Sequence, residues 1–297
     1  GVALQEYADN LEQKSNGRLK VSVFAGQTLA KGPDTYAAVV NGLADLAWNT
    51  ATQSAGMLPV SQLTTLPMLP IPDPIIGSKA FRELYETTDY LKNEYKDVHL
   101  LGLEAVGGFG TIIGTNNKLV KNLEDLKGMR IRVSPGANTD FMKAVGAQPV
   151  NIPITEMWEA MDKKTIDGYM FSFTAIYDFS LWDVTDYWTE IRTYAPAMWL
   201  AMNKAKYESL PDDLKQVVDE CSQETIVKMD QAFYDIINDS IQRGKSEFGE
   251  NYYVLPDEEF AKWRPIGKEA WTAWFETMEK DGLPAREATE TYENLLE

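Results

Sequence analysis

Residues 212–249 carry one continuous helical pattern that is too long for a single small domain. Apolar side chains recur at helical spacing along this stretch, at Leu214, Val217, Cys221, Met229, Phe233, Ile236, Ile237 and Ile241. At about 1.5 Å per residue, such a helix is on the order of 55 Å long. The pattern therefore predicts either a helix that runs along two lobes or a helix with a kink.

Before this helix, short apolar strands alternate with amphipathic helices in two successive units. The first unit has predicted strands at residues 19–23, 43–48 and 99–104, with a proline-rich loop at 66–74. The second unit begins after residues 107–110 and has predicted strands at 129–133, 149–152 and 167–171. A further apolar strand at 194–202 is placed to return to the first unit. This alternation predicts an α/β fold with mostly parallel sheets covered by helices.

The chain is strongly acidic. It has 28 Lys and Arg residues against 45 Asp and Glu residues, a formal net charge of −17. Such a surface repels phosphate backbones and anionic lipid headgroups, which excludes nucleic-acid and membrane-surface binding. Capture of an anionic ligand would need positive charge concentrated at one place.

Cysteine and histidine are almost absent, which excludes several kinds of site. Cys221 is the only cysteine and lies in the apolar stripe of the long helix, so we expect a buried side chain. His99 is the only histidine. A metal centre or a Ser-His-Asp triad would depend on that single imidazole, and we predict neither a metal, a cofactor nor a catalytic residue.

The sequence has neither a signal peptide nor an apolar stretch of 18 residues. It opens directly on a helical pattern, from which we expect that the natural N-terminus has been removed. We predict no direct insertion into a membrane.

Several ordered motifs resemble the DctP-type solute receptors of tripartite (TRAP) transporters. They are Ser15–Phe24, Tyr36–Trp48, Leu66–Leu69, Leu126–Val133, Gly146–Pro153, then Glu156, Ala160 and Lys164 with Ile166-Asp167-Gly168, and finally Ser209–Asp212. The resemblance covers nearly the whole chain. It departs from the family at the start, where these receptors have a strand before the first helix.

The resemblance implies two α/β lobes of the periplasmic binding protein type, with a ligand cleft between them and a long helix along both. We assign residues 1–109 and 197–236 to lobe I, and residues 110–196 and 237–297 to lobe II. Two such lobes would close around a ligand that contacts both.

In this family, an arginine at the end of an Arg-x-Arg-Val strand forms a bidentate salt bridge with the ligand carboxylate. The matching residue is Arg132, and Arg130 is the alternative. The planar guanidinium matches the geometry of a carboxylate and stays charged when it loses water.

Two polar anchors of the family are replaced by apolar residues. A second arginine of several relatives corresponds to the stretch around Phe109 and Ile112, and a frequent asparagine corresponds to the stretch around Phe171 and Ser172. We therefore expect a ligand with one carboxylate and an apolar or aromatic body. A dicarboxylate would leave polar groups unpaired, at about 1–3 kcal/mol each.

Lobe I is expected to contribute the end of its second strand. Asn49 and Thr50 are candidates for hydrogen bonds, and Trp48 or Gln53 for a wall of the cleft. Met198, on the returning strand, is placed near the crossing between the lobes.

The predicted function is a receptor, not an enzyme, which captures a small organic acid and delivers it to the membrane permease of a TRAP transporter. We expect a periplasmic monomer. The first alternative is a receptor for an amino acid or a short peptide. A remote alternative is a hydrolase with paired carboxylates that include Asp167, although Asp167 is more simply part of a structural turn.

Overall fold

The computed structural model describes residues 2–297, except for the side chains of Thr174, Ala175 and Tyr177; residue 1, where predicted lobe I begins, lies outside it. The strands are β1 Leu46–Thr50, β2 Val98–Ala105, β3 Thr111–Thr115, β4 Arg130–Arg132, β5 Gln148–Val150, β6 Gly168–Ser172, β7 Tyr187–Ile191, β8 Ala197–Asn203 and β9 Tyr252–Val254. The helices are α1 Val2–Lys14, α2 Thr35–Val40, α3 Pro74–Thr87, α4 Asp89–Glu94, α5 Ala137–Ala144, α6 Met157–Asp162, α7 Phe173–Asp178, α8 Lys204–Glu208, α9 Asp212–Phe248, α10 Asp257–Lys280 and α11 Ala285–Leu295. The α/β fold is confirmed.

The strands form two sheets, one for each half of the fold. The first has the order β1-β8-β2 and is antiparallel throughout. The second has the order β5-β4-β6-β3-β7-β9 and mixes parallel with antiparallel pairs. The prediction of mostly parallel sheets is wrong for the first sheet, because β8 returns from far along the chain and lies between β1 and β2.

The predicted long helix is confirmed as α9, which is 37 residues long. Its first half packs against α1 and the first sheet through Val218, Cys221 and Ile226. Its second half packs against the second sheet through Ile237 and Ile241. One helix therefore contacts the cores of both lobes, and Cys221 is buried as expected.

Two glycines let α9 lie very close to the rest of the fold. A methyl group added to Gly102 of β2 would lie 2.3 Å from Cγ1 of Ile226. One added to Gly110, in the crossing between β2 and β3, would lie 2.3 Å from Cγ2 of Ile237. Side chains at these two positions would push α9 away from both places.

The stretch before α3, and α3 itself, contact helices from later in the chain. The predicted loop at 66–74 is confirmed as irregular from residue 66 to residue 73, and Pro67 O accepts a hydrogen bond from Nε1 of Trp271 at 2.8 Å. Asn138 of α5 donates to Thr65 O at 2.8 Å. Helix α11 packs on α3, so the last helix contacts the first half of the fold. The lobe boundaries given above stay a prediction.

The strand predicted at residues 19–23 does not form. Residues 18–25 have no strand partner, and Val21 and Phe24 expose 38% and 59% of their surface. A groove of about 890 Å³ separates this segment from β1. The alternating pattern is present in the sequence, but no neighbouring strand is near enough to pair with it.

Candidate functional site

Arg132 is the last residue of β4 and carries a buried cation. Its neighbours across the sheet are Tyr169 on β6 and Val150 on β5. Only 6% of Arg132 is exposed. Its Nε donates to Ile152 O at 3.3 Å, whereas Nη1 has no hydrogen-bond partner among the described residues. Burial lowers the pKa of the guanidinium, yet arginine keeps its charge in proteins.

Arg130, two residues earlier, shows what a structural arginine looks like in the same strand. Its Nη2 and Nε bind the carboxylate of Asp167 at 2.8 Å and 3.0 Å, and its backbone N–H donates to the same carboxylate at 2.8 Å. These bonds lower the pKa of Asp167. Arg130 and Asp167 are therefore engaged with each other, which disfavours Arg130 as the ligand anchor and Asp167 as a catalytic acid.

An aromatic ring lies against the guanidinium of Arg132. The ring centre of Phe171 is 4.9 Å from Cζ, a cation–π distance. Ile112 pairs with Phe171 across β3 and β6, and its side chain is fully buried. Arg132 thus has an apolar wall at the place where the resemblance led us to expect polar anchors in relatives.

Tyr194 and Ser134 complete this cluster, and sequence reasoning missed both. The Tyr194 ring is 6.2 Å from that of Phe171, and its hydroxyl lies 3.2 Å from Oγ of Ser134. Tyr194 is buried and has a φ of 72°. A bulky residue in that region is strained by roughly 1–3 kcal/mol. The sequence carries no signal for a tyrosine in this conformation.

The first sheet aligns a second group of candidate residues. Thr50, Met198 and Glu104 lie in register at the ends of β1, β8 and β2. Trp48, on the same face, stacks with Phe233 of α9 at 6.4 Å between ring centres. Trp48 therefore faces the middle of α9.

Both predicted polar residues of β1 have partners within the protein. Asn49 donates through Nδ2 to Gly32 O at 2.9 Å, and its Oδ1 accepts from the backbone N–H of Thr50 at 2.8 Å. The hydroxyl of Thr50 accepts from the backbone N–H of Thr52 at 3.1 Å. Both side chains shape the turn after β1.

Two other predicted residues, Phe109 and Ser172, lie near the connection between β2 and β3. Phe109 is partly buried, with its ring 5.6 Å from that of Tyr234 on α9. Ser172 is buried at the end of β6, opposite Thr111. His99 stacks on Tyr207, with ring centres 3.3 Å apart, and lies outside this region. In the described part of the chain, no group of three or more His, Cys, Asp or Glu residues is arranged to hold a metal ion.

Glu104 is a buried carboxyl that sequence analysis could have found, as the one acidic residue in the apolar run of β2. Its Oε2 accepts from Nε1 of Trp48 at 2.8 Å, and Oε1 has no partner among the described residues. Burial raises the pKa of Glu104 to about 8, opposed by the bond from Trp48. Glu104 is therefore largely protonated at neutral pH.

Folding should become less favourable as Glu104 ionises. Its pKa is about 8 in the folded protein and ~4.3 in an unfolded chain. The stabilisation is fully present below ~4.3 and is lost as the pH rises through 8. The Glu104→Gln variant keeps an acceptor for Trp48, so we expect the wild type to lose about 3 kcal/mol more than the variant between pH ~5.5 and ~8.5. Urea unfolding at both pH values measures this, and equal losses would contradict the assignment.

Comparison with known proteins identifies the family. The sequence profile of the bacterial extracellular solute-binding protein family 7 (DctP) matches residues 1–278. The chain belongs to this family. None of the described helices has the length and apolar character needed to cross a lipid bilayer.

Solved structures of TRAP solute-binding proteins share the whole fold. A TRAP solute-binding protein from a marine metagenome, specific for aromatic acids and crystallised with 3-hydroxybenzoate, is 25% identical, with a TM-score of 0.88 over 99% of this chain and 92% of the other. A TRAP solute-binding protein from Rhodoferax ferrireducens T118, with copurified benzoate, is 24% identical, with a TM-score of 0.87 over 99% and 91%. The 2,3-diketo-L-gulonate-binding periplasmic protein of Escherichia coli is 25% identical over 75% of this chain and 67% of its own length. The predicted family and two-lobed fold are confirmed.

Proposed function

We propose that this family 7 receptor captures a monocarboxylate with an apolar, aromatic body, and that Arg132 holds the carboxylate. The observation that carries the proposal is the buried guanidinium whose Nη1 has no partner among the described residues. A buried cation without a carboxylate partner is costly unless an anion completes it. A ligand carboxylate would supply that anion and accept charge-assisted hydrogen bonds of about 1.5–3 kcal/mol each.

The aromatic body follows from the surroundings of Arg132. Phe171 is partly exposed and offers an aromatic face beside the guanidinium. Its cross-strand neighbour Ile112 is buried behind it and keeps that side of the sheet apolar. A ring stacked there gains about 0.5–1.5 kcal/mol beyond the burial of its area. The benzoate and 3-hydroxybenzoate bound by two structural neighbours have this chemistry.

The remaining parts of the site belong to the same proposal. The ligand lies in a cleft between residues 1–109 with 197–236 and residues 110–196 with 237–297. Trp48, Thr50 and Met198 form its lobe I side, with Asn49 holding the turn. Phe109 lies at the end of the first lobe I range, next to lobe II, and Ser172 lies at the lobe II side. The receptor works as a monomer in the periplasm, and its closed form delivers the ligand to the permease of a TRAP transporter.

A panel of ligands tests the proposed specificity. Benzoate and 3-hydroxybenzoate should stabilise the protein and bind at least tenfold more tightly than succinate. Among the described residues that contact Arg132 there is no second cation to pair with a second carboxylate, and an unpaired charged group costs more than about 1–3 kcal/mol. Thermal shift identifies the binders, and isothermal titration calorimetry gives their Kd values.

Other outcomes of the panel have clear meanings. Tightest binding of succinate would refute the apolar site. Tightest binding of an amino acid such as phenylalanine would favour the amino-acid receptor. If no carboxylate stabilises the protein, the proposed function is wrong. If mass spectrometry showed that a bound ligand is converted into a product, the protein would be an enzyme.

A further inference from the structure

We propose that Tyr194 is a second polar anchor for the ligand carboxylate and acts together with Arg132. This inference rests on the proposed function and deepens it. It assigns a ligand-binding role to a residue of the segment that connects the two sheets. Tyr194 would thereby link the carboxylate directly to the crossing between the lobes.

The backbone of Tyr194 is held in its unusual conformation from several sides. Its carbonyl oxygen accepts from Oγ1 of Thr111 at 3.1 Å and from the backbone N–H of Gly108 at 3.3 Å. The next backbone N–H, that of Ala195, donates to Thr64 O at 3.0 Å. Gly108 and Thr111 belong to the connection between β2 and β3 and to the start of β3, and Thr64 belongs to a loop of lobe I. The backbone of Tyr194 is therefore held from both sides. Strained residues that are fixed in this way concentrate at ligand-binding sites.

The side chain that this conformation places is aimed at the Arg132 cluster. The ring of Phe171 lies next to both residues, 4.9 Å from Cζ of Arg132 and 6.2 Å from the ring of Tyr194. The hydroxyl of Tyr194 has Ser134 Oγ at 3.2 Å, longer than the ~2.8 Å typical of hydroxyl pairs. This weak bond can be exchanged for a better acceptor.

The chemistry of the pair fits a monoanion. A carboxylate has two oxygens, and the cluster offers a charged donor at Nη1 of Arg132 and a neutral donor at the hydroxyl of Tyr194. One cation with one neutral donor compensates a single negative charge. A phosphate dianion would keep an uncompensated charge in a buried place. The pair therefore selects carboxylates by charge as well as by shape.

The test is a double-mutant cycle with sodium benzoate as the probe. Tyr194→Phe removes only the hydroxyl, and Arg132→Lys keeps the charge but loses the planar fork. We expect Tyr194→Phe to raise the Kd for benzoate tenfold or more with little change in Tm. We also expect the double variant to bind more tightly than the product of the two single effects predicts, because both residues contact one carboxylate.

Tyr292→Phe is the matched control, since its buried hydroxyl donates to Gly77 O at 3.0 Å on α3, away from the cluster. It should leave the Kd unchanged. The inference fails alone if the wild type binds benzoate, Arg132→Lys weakens binding, and Tyr194→Phe does not. It also fails if the two effects simply multiply and Tyr194→Phe lowers the Tm, because that pattern indicates a structural role. If the wild type binds no carboxylate at all, the proposed function fails first and this inference with it.

Discussion

The Arg132→Met variant is expected to bind benzoate at least 100-fold more weakly and yet to be more stable than the wild type without ligand. Binding falls because two charge-assisted hydrogen bonds, about 1.5–3 kcal/mol each, are lost. Stability rises because methionine has a similar length and no charge, so the unpaired cation is no longer buried. Loss of the contact with Phe171 and of the bond to Ile152 O offsets part of this gain. We expect a net gain of about 1–3 kcal/mol.

Arg130→Met is the control, two residues away on the same strand. Arg130 is paired with Asp167, so its loss should lower stability, while benzoate binding should be retained. Calorimetry gives the Kd values, and urea unfolding gives the free energies. If Arg132→Met bound benzoate within tenfold of the wild type, Arg132 would not be the anchor. If it unfolded more easily than the wild type, the cation would already be well compensated in the free protein.

The Gly110→Ala variant is expected to lose about 2–3 kcal/mol of stability. The added methyl group would lie 2.3 Å, 2.8 Å and 3.0 Å from three side-chain atoms of Ile237. These atoms include both carbons attached to the branched Cβ of Ile237. Because Ile237 is fully buried, its side chain cannot rotate away from the added methyl group. Relieving such an overlap requires shifts of the backbone or of side chains, and these shifts cost about 1–3 kcal/mol of stability.

Gly56→Ala provides the comparison, because a methyl group there meets no atom within 4 Å. It should be neutral or stabilising by up to about 1 kcal/mol, through the smaller entropy of the unfolded chain. Urea unfolding of the two variants measures the difference. Equal stabilities would mean that α9 does not press on the crossing.

The sequence predicted those features that local patterns encode. Helix α9 was predicted because its apolar residues repeat over 37 positions. The prediction of a strand at residues 19–23 was wrong, because an alternating pattern does not indicate whether a partner strand is present. The antiparallel first sheet was missed for a related reason. Its central strand β8 pairs with residues about 100 to 150 positions earlier, and no local pattern records such pairing.

The candidate site divides in the same way. The motif around Arg132 predicts its role. The motif does not show that Arg130 is paired with Asp167, because that pairing depends on the position of Asp167 in the fold. The burial of Glu104 could have been predicted, because it is an acidic residue in an apolar strand. The position of Tyr194 could not, because it depends on a positive φ that the tyrosine itself does not favour.

The two close contacts of α9 have a mechanical consequence for the receptor. The helix is fixed to the first sheet at Ile226 and to the crossing at Ile237, 11 residues or roughly 16 Å apart. Rotation of one lobe against the other must therefore curve the helix between these two points. An α-helix resists bending, so α9 would act as an elastic link that limits how far the lobes can rotate from the arrangement described above.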